Sequence, residues 1–147
     1  MIEPFNDEHF MKLAFQQAKL ALEQDEIPIG AIIVQNKKVI AKAFNQTEQL
    51  GDATAHAEMI AITAAMNFLG SKYLKDCTLY VTLEPCMMCG GAIDHAHIKR
   101  VVYGAKDEKK GFTVYQPPVL NKKIDIVSAI MEEECGNILT NFFKKKR

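Results

Sequence analysis

The chain has 147 residues, 48% of them hydrophobic and 24% charged, which suits one soluble domain whose core needs no disulfides. No apolar run approaches the roughly 20 residues of a membrane span, and four cysteines are too few for a secreted disulfide scaffold. Net charge is zero, but unevenly distributed: residues 1–70 hold five Lys against nine acids, and residues 71–147 hold 13 Lys and Arg against nine.

The basic excess gathers at Lys99, Arg100, Lys106, Lys109, Lys110, Lys122 and Lys123, and in the ending Lys144-Lys145-Lys146-Arg147. Such a surface can bind phosphates under a neutral total, although charge alone reads equally well as a solvated face and a soluble tail. The N-terminus, Met1 to Glu8, is acidic and lacks the basic and apolar regions of a signal peptide. A cytoplasmic location is the expectation.

In chain order, Phe10, Leu13, Ala14, Ala18, Ala21 and Leu22 recur at helical spacing and predict a helix over about 7–24, with Asn6 or Asp7 placed to cap it. Pro28 stops any helix; the β-branched run 29–34 and residues 39–44 then predict a hairpin turning at Asn36-Lys37-Lys38. An Ala-, Met- and Ile-rich helix is expected over 54–69, ended by Gly70. A strand over 78–83, a short helix from Cys86 to about His95, and a strand over 100–104 follow. A long connection with two prolines, 111–123, leads to a last strand over 124–129 and an amphipathic helix over 131–143. Strands joined through helices imply parallel neighbours beside an antiparallel hairpin, hence a mixed sheet with helices on both faces. Cys77 and Cys135 stand alone and read as buried thiols.

The chemistry concentrates in His56-Ala57-Glu58 and, 27 residues after Glu58, Pro85-Cys86-Met87-Met88-Cys89. One imidazole and two thiolates are three good zinc ligands, and three protein ligands leave a tetrahedral metal an open position suited to catalysis. His56 and Glu58 are expected in the first turn of the second helix, and Cys86 and Cys89, at i and i+3, on one face near the start of the third. Helix N-termini favour thiolate over thiol, so two helix starts meeting at one sheet edge could gather the ligands. Glu58 is then placed to move protons between water and substrate. Cys-x-x-Cys alone also fits a redox pair or half of a structural zinc site, with His95 or His97 as fourth ligand. His9 reads as a surface histidine, and a salt-bridge role is the plain alternative for Glu58.

The pattern H-x-E…P-C-x-x-C is that of the zinc nucleobase deaminases. Asn45, Asp52 to Glu58 and Leu79 to Cys89 together resemble the bacterial tRNA-specific adenosine deaminases of the cytidine deaminase-like superfamily. Ile27-Pro28-Ile29-Gly30-Ala31, Val101 to Ala105 and the segment Glu132 to Phe143 are similar as well. The resemblance covers nearly the whole chain and implies one zinc-dependent deaminase domain over 1–147. It further implies an α/β fold, a three-layer α/β/α sandwich around a five-stranded mixed sheet, and a homodimer. The activity it implies is conversion of adenosine to inosine at the wobble position of an arginine tRNA anticodon stem-loop, with one Zn²⁺ per subunit. His56, Cys86 and Cys89 match the metal ligands, Glu58 the catalytic carboxylate, and Asn45 an asparagine that hydrogen-bonds the target base; Asn45 could otherwise be a turn residue. Ala53 stands where many members have Pro, and the 111–120 segment departs from the small-residue loop of better-known members. Lys106 to Lys110 and Phe142 to Arg147 could contact phosphates and line the RNA loop, with one of the two phenylalanines packing inward. The alternatives are a deaminase of a free base or nucleoside, of guanine or cytosine type, and a zinc-stapled RNA-binding module.

Overall fold

In the computed structural model, which describes residues 5–115 and 117–146, five strands form one mixed sheet. The strands are β1 (Gly30–Gln35), β2 (Lys38–Phe44), β3 (Cys77–Leu83), β4 (Arg100–Ala105) and β5 (Asp125–Val127), in the order β2-β1-β3-β4-β5. Among the described residues four α-helices, α1 (Asp7–Glu23), α2 (Ala57–Leu69), α3 (Met87–His95) and α4 (Glu132–Lys146), and one 3-10 turn, Phe112–Val114, accompany the sheet. Met1 to Pro4, Gln116 and Arg147, on which part of the terminal, loop and tail readings fall, lie outside the described residues.

Side chains alternate across the three central strands and build two apolar layers. Ala31, Ile33, Leu79, Val81, Val101 and Tyr103 pack beneath α2 and α3 with Ala61, Ala65 and Ile93. Ile32, Val34, Tyr80 and Val102 face the other way and meet Phe10, Met11 and Ala14 of α1 and Cys135 of α4. The three-layer α/β/α expectation holds. Among the described residues, no helix is long and apolar enough to cross a membrane.

Two expectations need correction. Connection through α2 makes β2 and β3 parallel to each other, but not neighbours, because β1 lies between them and pairs antiparallel with both. Only later does each crossover join adjacent parallel strands, β3 to β4 and β4 to β5. Within α1, Leu22 is 39% exposed, whereas Met11, left out of the predicted stripe, is fully buried. The buried stripe instead runs Phe10, Met11, Ala14, Ala18 and Ala21. Its alanines bring the α1 backbone against β1 so closely that a Cβ on Gly30 would collide with Ala14 and Ala18 backbone atoms.

The hairpin turn is a two-residue one, with Asn36 and Lys37 both at positive φ (51° and 63°), as a tight hairpin turn requires. The last strand is shorter than its β-branched run suggests, since left-handed Ala129 and Met131 turn the chain away toward α4.

Asn6 caps α1 by accepting from the His9 N–H at 2.8 Å. Asp7, in the first turn, takes two bonds from Arg100, both 2.7 Å, and one from the Tyr80 hydroxyl at 2.8 Å. The Arg100 guanidinium holds the Asp7 carboxyl below the usual carboxylate range against the opposing effect of partial burial. A lowered native pKa contributes stability above the unfolded value near 4, lost as pH falls through the native value. Asp7→Asn is therefore expected to cost about 1–2 kcal/mol at neutral pH, a hydrogen-bonded charge discounted for partial exposure. In denaturant titrations, the gap from wild type should close as pH drops below about 4.

Candidate active site

The sheet sends two helix starts to one place. The turn before α2 is set by Asp52, whose Oδ1 accepts from both the Thr54 N–H (2.8 Å) and hydroxyl (2.7 Å). That turn consumes residues expected to be helical, so α2 begins at Ala57 and His56 is its N-cap rather than part of its first turn. Cys86 is likewise the N-cap of α3. Neither side chain caps its own helix, which leaves both free to face each other. Glu58 falls in the first turn of α2, and Cys89 in the first turn of α3.

The three candidate ligands converge. Sγ of Cys86 and Sγ of Cys89 each lie 3.6 Å from Nδ1 of His56, and all three donor atoms are within 4.8 Å of one another. For tetrahedral zinc, Zn–N of about 2.05 Å and Zn–S of about 2.3 Å place nitrogen and sulfur about 3.6 Å apart. The donor set and its spacing thus fit the metal, and the group could hold one. His95 and His97 are exposed, and among the described residues the ligand cluster contains neither, so the structural-zinc alternative lacks its fourth ligand.

The Cys89 thiol and then the His56 ring hold the Cys86 sulfur as thiolate, its pKa drawn down to about 3. Cys89 is pushed up by that same bond and by burial, and His56 is raised chiefly by its bond to Cys86. The same three donor atoms could hold a cation, whose binding displaces protons from thiol and imidazolium. Glu58 is only 4% exposed, and burial lifts its carboxyl to about 7. That value suits a group that both takes and gives protons near neutrality.

His56, Cys86 and Glu58 line a cleft of about 1080 Å³. Asn45, 3% exposed, also lines it, held at the end of the hairpin by its N–H to the Ile29 carbonyl at 3.0 Å. Its side-chain Nδ2 is buried without a hydrogen-bond partner, a costly state unless a bound molecule supplies the acceptor. Lys106, Lys109, Lys110, Phe143 and Lys146 also line it. Phe142 packs inward and Phe143 stays 44% exposed, as expected for that pair.

Sequence reasoning missed two buried carboxylates that shape this cleft. Glu26 accepts from the Glu48 and Gln49 N–H groups (3.0 and 2.6 Å), fixing the loop that follows Asn45. Glu84 accepts from loop 107–113 on the other side. The one available signal for Glu84 was a charge beside Pro85 at the end of an apolar strand.

A sheet of this order, with a His/Cys/Cys cluster and a separate carboxylate at two helix starts, defines an enzyme of the cytidine deaminase-like class. The family profile described as MafB19-like deaminase matches residues 5–147. The tRNA-specific adenosine deaminase of Aquifex aeolicus is 45% identical over 145 residues, 95% of each chain. A structure solved in a study of A-to-I editing by tRNA:A34 deaminases is 44% identical with a TM-score of 0.83, covering 89% of this chain and 99% of that one. A guanine deaminase from Bacillus subtilis is 43% identical with a TM-score of 0.66, but covers 69% of this chain and 65% of its own. The chain belongs to the tRNA-specific adenosine deaminases, within the MafB19-like deaminase family.

Proposed function

We propose that this enzyme deaminates adenosine to inosine at the wobble position of a tRNA anticodon, with an arginine tRNA as substrate. The observation that carries the reading is a single cleft lined by His56 and Cys86 of the ligand cluster, buried Glu58 and Asn45 with its unpartnered amide. Likeness over 95% of both chains to a tRNA-specific relative supports RNA over a free base. A homodimer in the cytoplasm completes the proposal.

His56, Cys86 and Cys89 would hold one Zn²⁺ per subunit. Bound there, it would supply a Lewis acid able to bring the pKa of water from 15.7 to roughly 7. Glu58 takes the proton of the attacking water as oxygen bonds to C6 of adenine. It passes that proton to the ring nitrogen, then takes the remaining hydroxyl proton and gives it to the departing amine, so that the C6 carbonyl forms, the exocyclic C–N bond breaks and ammonia leaves. The Asn45 amide donates to an acceptor on the purine edge and orients the ring. An anticodon loop already presents splayed bases, which lowers the cost of bringing one into the cleft. Lys106, Lys109 and Lys110 face the backbone phosphates from the rim.

Asn45→Ala is expected to lower kcat/KM by about 10- to 100-fold, the worth of one base contact of roughly 1–3 kcal/mol, with metal content unchanged. Steady-state kinetics and metal analysis together check this.

The test of substrate compares an arginine anticodon stem-loop with free guanine, cytosine and adenosine, reading inosine and ammonia. Conversion of the stem-loop but not the free bases is expected. Turnover of guanine alone would favour the second reading, a free-base deaminase, whose support is the partial likeness to the guanine deaminase.

A further inference from the structure

Glu84 is buried, 2% exposed, at the end of β3 and one residue before Pro85. Its own N–H donates to the Ala105 carbonyl at 2.8 Å, which ties it to the end of β4. Each carboxylate oxygen then takes one end of the following loop. Oε1 accepts from the Asp107 N–H at 3.1 Å, while Oε2 accepts from the Thr113 N–H at 3.0 Å and the Thr113 hydroxyl at 2.7 Å. Gly111 lies so close to the carboxyl that it has no room for a Cβ, and it bridges Cys86 across the loop.

Between the two anchored ends, Asp107 folds the chain back. Its Oδ1 accepts from the Lys109 and Lys110 N–H groups at 3.1 and 3.0 Å. The Asp107 carboxylate is thus engaged with backbone, while Lys106, Lys109 and Lys110 stand exposed on the rim of the cleft. Burying a carboxylate is costly in hydration, and here N–H and O–H donors of one loop compensate it.

We infer that Glu84 is a positioning residue for RNA, stapling both ends of loop 107–113 so that its lysines meet the substrate phosphates. The inference rests on the proposed RNA substrate. Glu84 borders the cleft, but both of its carboxylate oxygens are taken up by loop donors, so it acts through the loop. Glu84→Gln keeps one acceptor oxygen but puts an amide N–H₂ where the donors at the other end of the loop point, so it releases one end of the staple at nearly constant volume.

The experiment uses the zinc-loaded protein and the anticodon stem-loop over a salt series. Glu84→Gln should raise KM by about tenfold or more with kcat within about threefold. Each phosphate contact adds about 0.7 to the salt slope for a single strand, so losing two should flatten it by about 1.4. A merely structural role would lower stability without changing that slope. Lys109→Ala/Lys110→Ala should weaken binding of the inosine-containing stem-loop in wild type but barely in the Glu84→Gln background, since both changes remove the same two phosphate contacts. If Glu84→Gln folds poorly, Thr113→Val, which removes one donor, should show the same changes in smaller measure. Unchanged KM and salt slope in a folded variant would overturn the inference. So would a fall in kcat and metal content at constant KM, which would assign Glu84 to the Cys86 side. A wild type inert on the stem-loop would instead overturn the substrate reading.

Discussion

Glu58→Gln should retain the metal and lose about 10²- to 10⁴-fold in deamination rate, the range for removing a positioned general acid and base. The geometry makes the prediction specific. Glu58 is buried in the first turn of α2, outside the cluster of His56, Cys86 and Cys89, and lines the same cleft. Gln has nearly the same volume and keeps the helix start, but it cannot carry a proton from water to the leaving amine. Metal analysis should find the variant as loaded as wild type, and stem-loop affinity should change little. Loss of metal together with activity would instead make Glu58 a ligand, and full turnover would return it to a structural role.

The second large effect is expected at Cys89. Cys89→Ala should abolish metal retention and bring deamination to background, because it leaves two donors where three converge within 4.8 Å. Buried thiols elsewhere provide the control. Cys77 and Cys135 lie in the two apolar layers, away from the cluster, so Cys77→Ala should keep metal and activity at a modest cost in stability. Removing metal from wild type with a chelator should reproduce the Cys89→Ala loss, and added Zn²⁺ should restore activity only in wild type. Retained metal in Cys89→Ala would contradict the assigned ligand set.

The elements of this fold are readable because their local patterns are plain. Short, nearly continuous apolar runs in β1, β3 and β4 and the alanine-rich faces of α1 and α2 are local signals that packing reinforces. Strand order is a different kind of fact. Insertion of β1 between β2 and β3 depends on which edges pair, and no local pattern in Lys38–Phe44 or Cys77–Leu83 specifies it. The site divides the same way. His56, Glu58, Cys86 and Cys89 are residue types whose chemistry announces itself at fixed spacing, whereas Asn45 is legible only through the family resemblance; His56, Glu58, Cys86 and Asn45 line one cleft, with Cys89 in the ligand cluster beside it. Glu26 and Glu84 carry no such sign, since a lone carboxylate in a sequence looks like surface. Their donors lie 22 to 29 residues further along the chain, so only the folded loops reveal why each is buried. His56 and Cys86 as N-caps were likewise hidden, because the Asp52–Thr54 turn, not helix propensity, decides where α2 begins.

The most direct test is to incubate the zinc-loaded enzyme with the arginine anticodon stem-loop in ¹⁸O-labelled water, then digest the RNA and examine its nucleosides by mass spectrometry. The expected result is inosine carrying ¹⁸O, formed only at the wobble position, with one ammonia released per inosine and none formed by Glu58→Gln. An unlabelled product, or a stem-loop left intact while free guanine is consumed, would contradict hydrolytic adenosine deamination in RNA by this site.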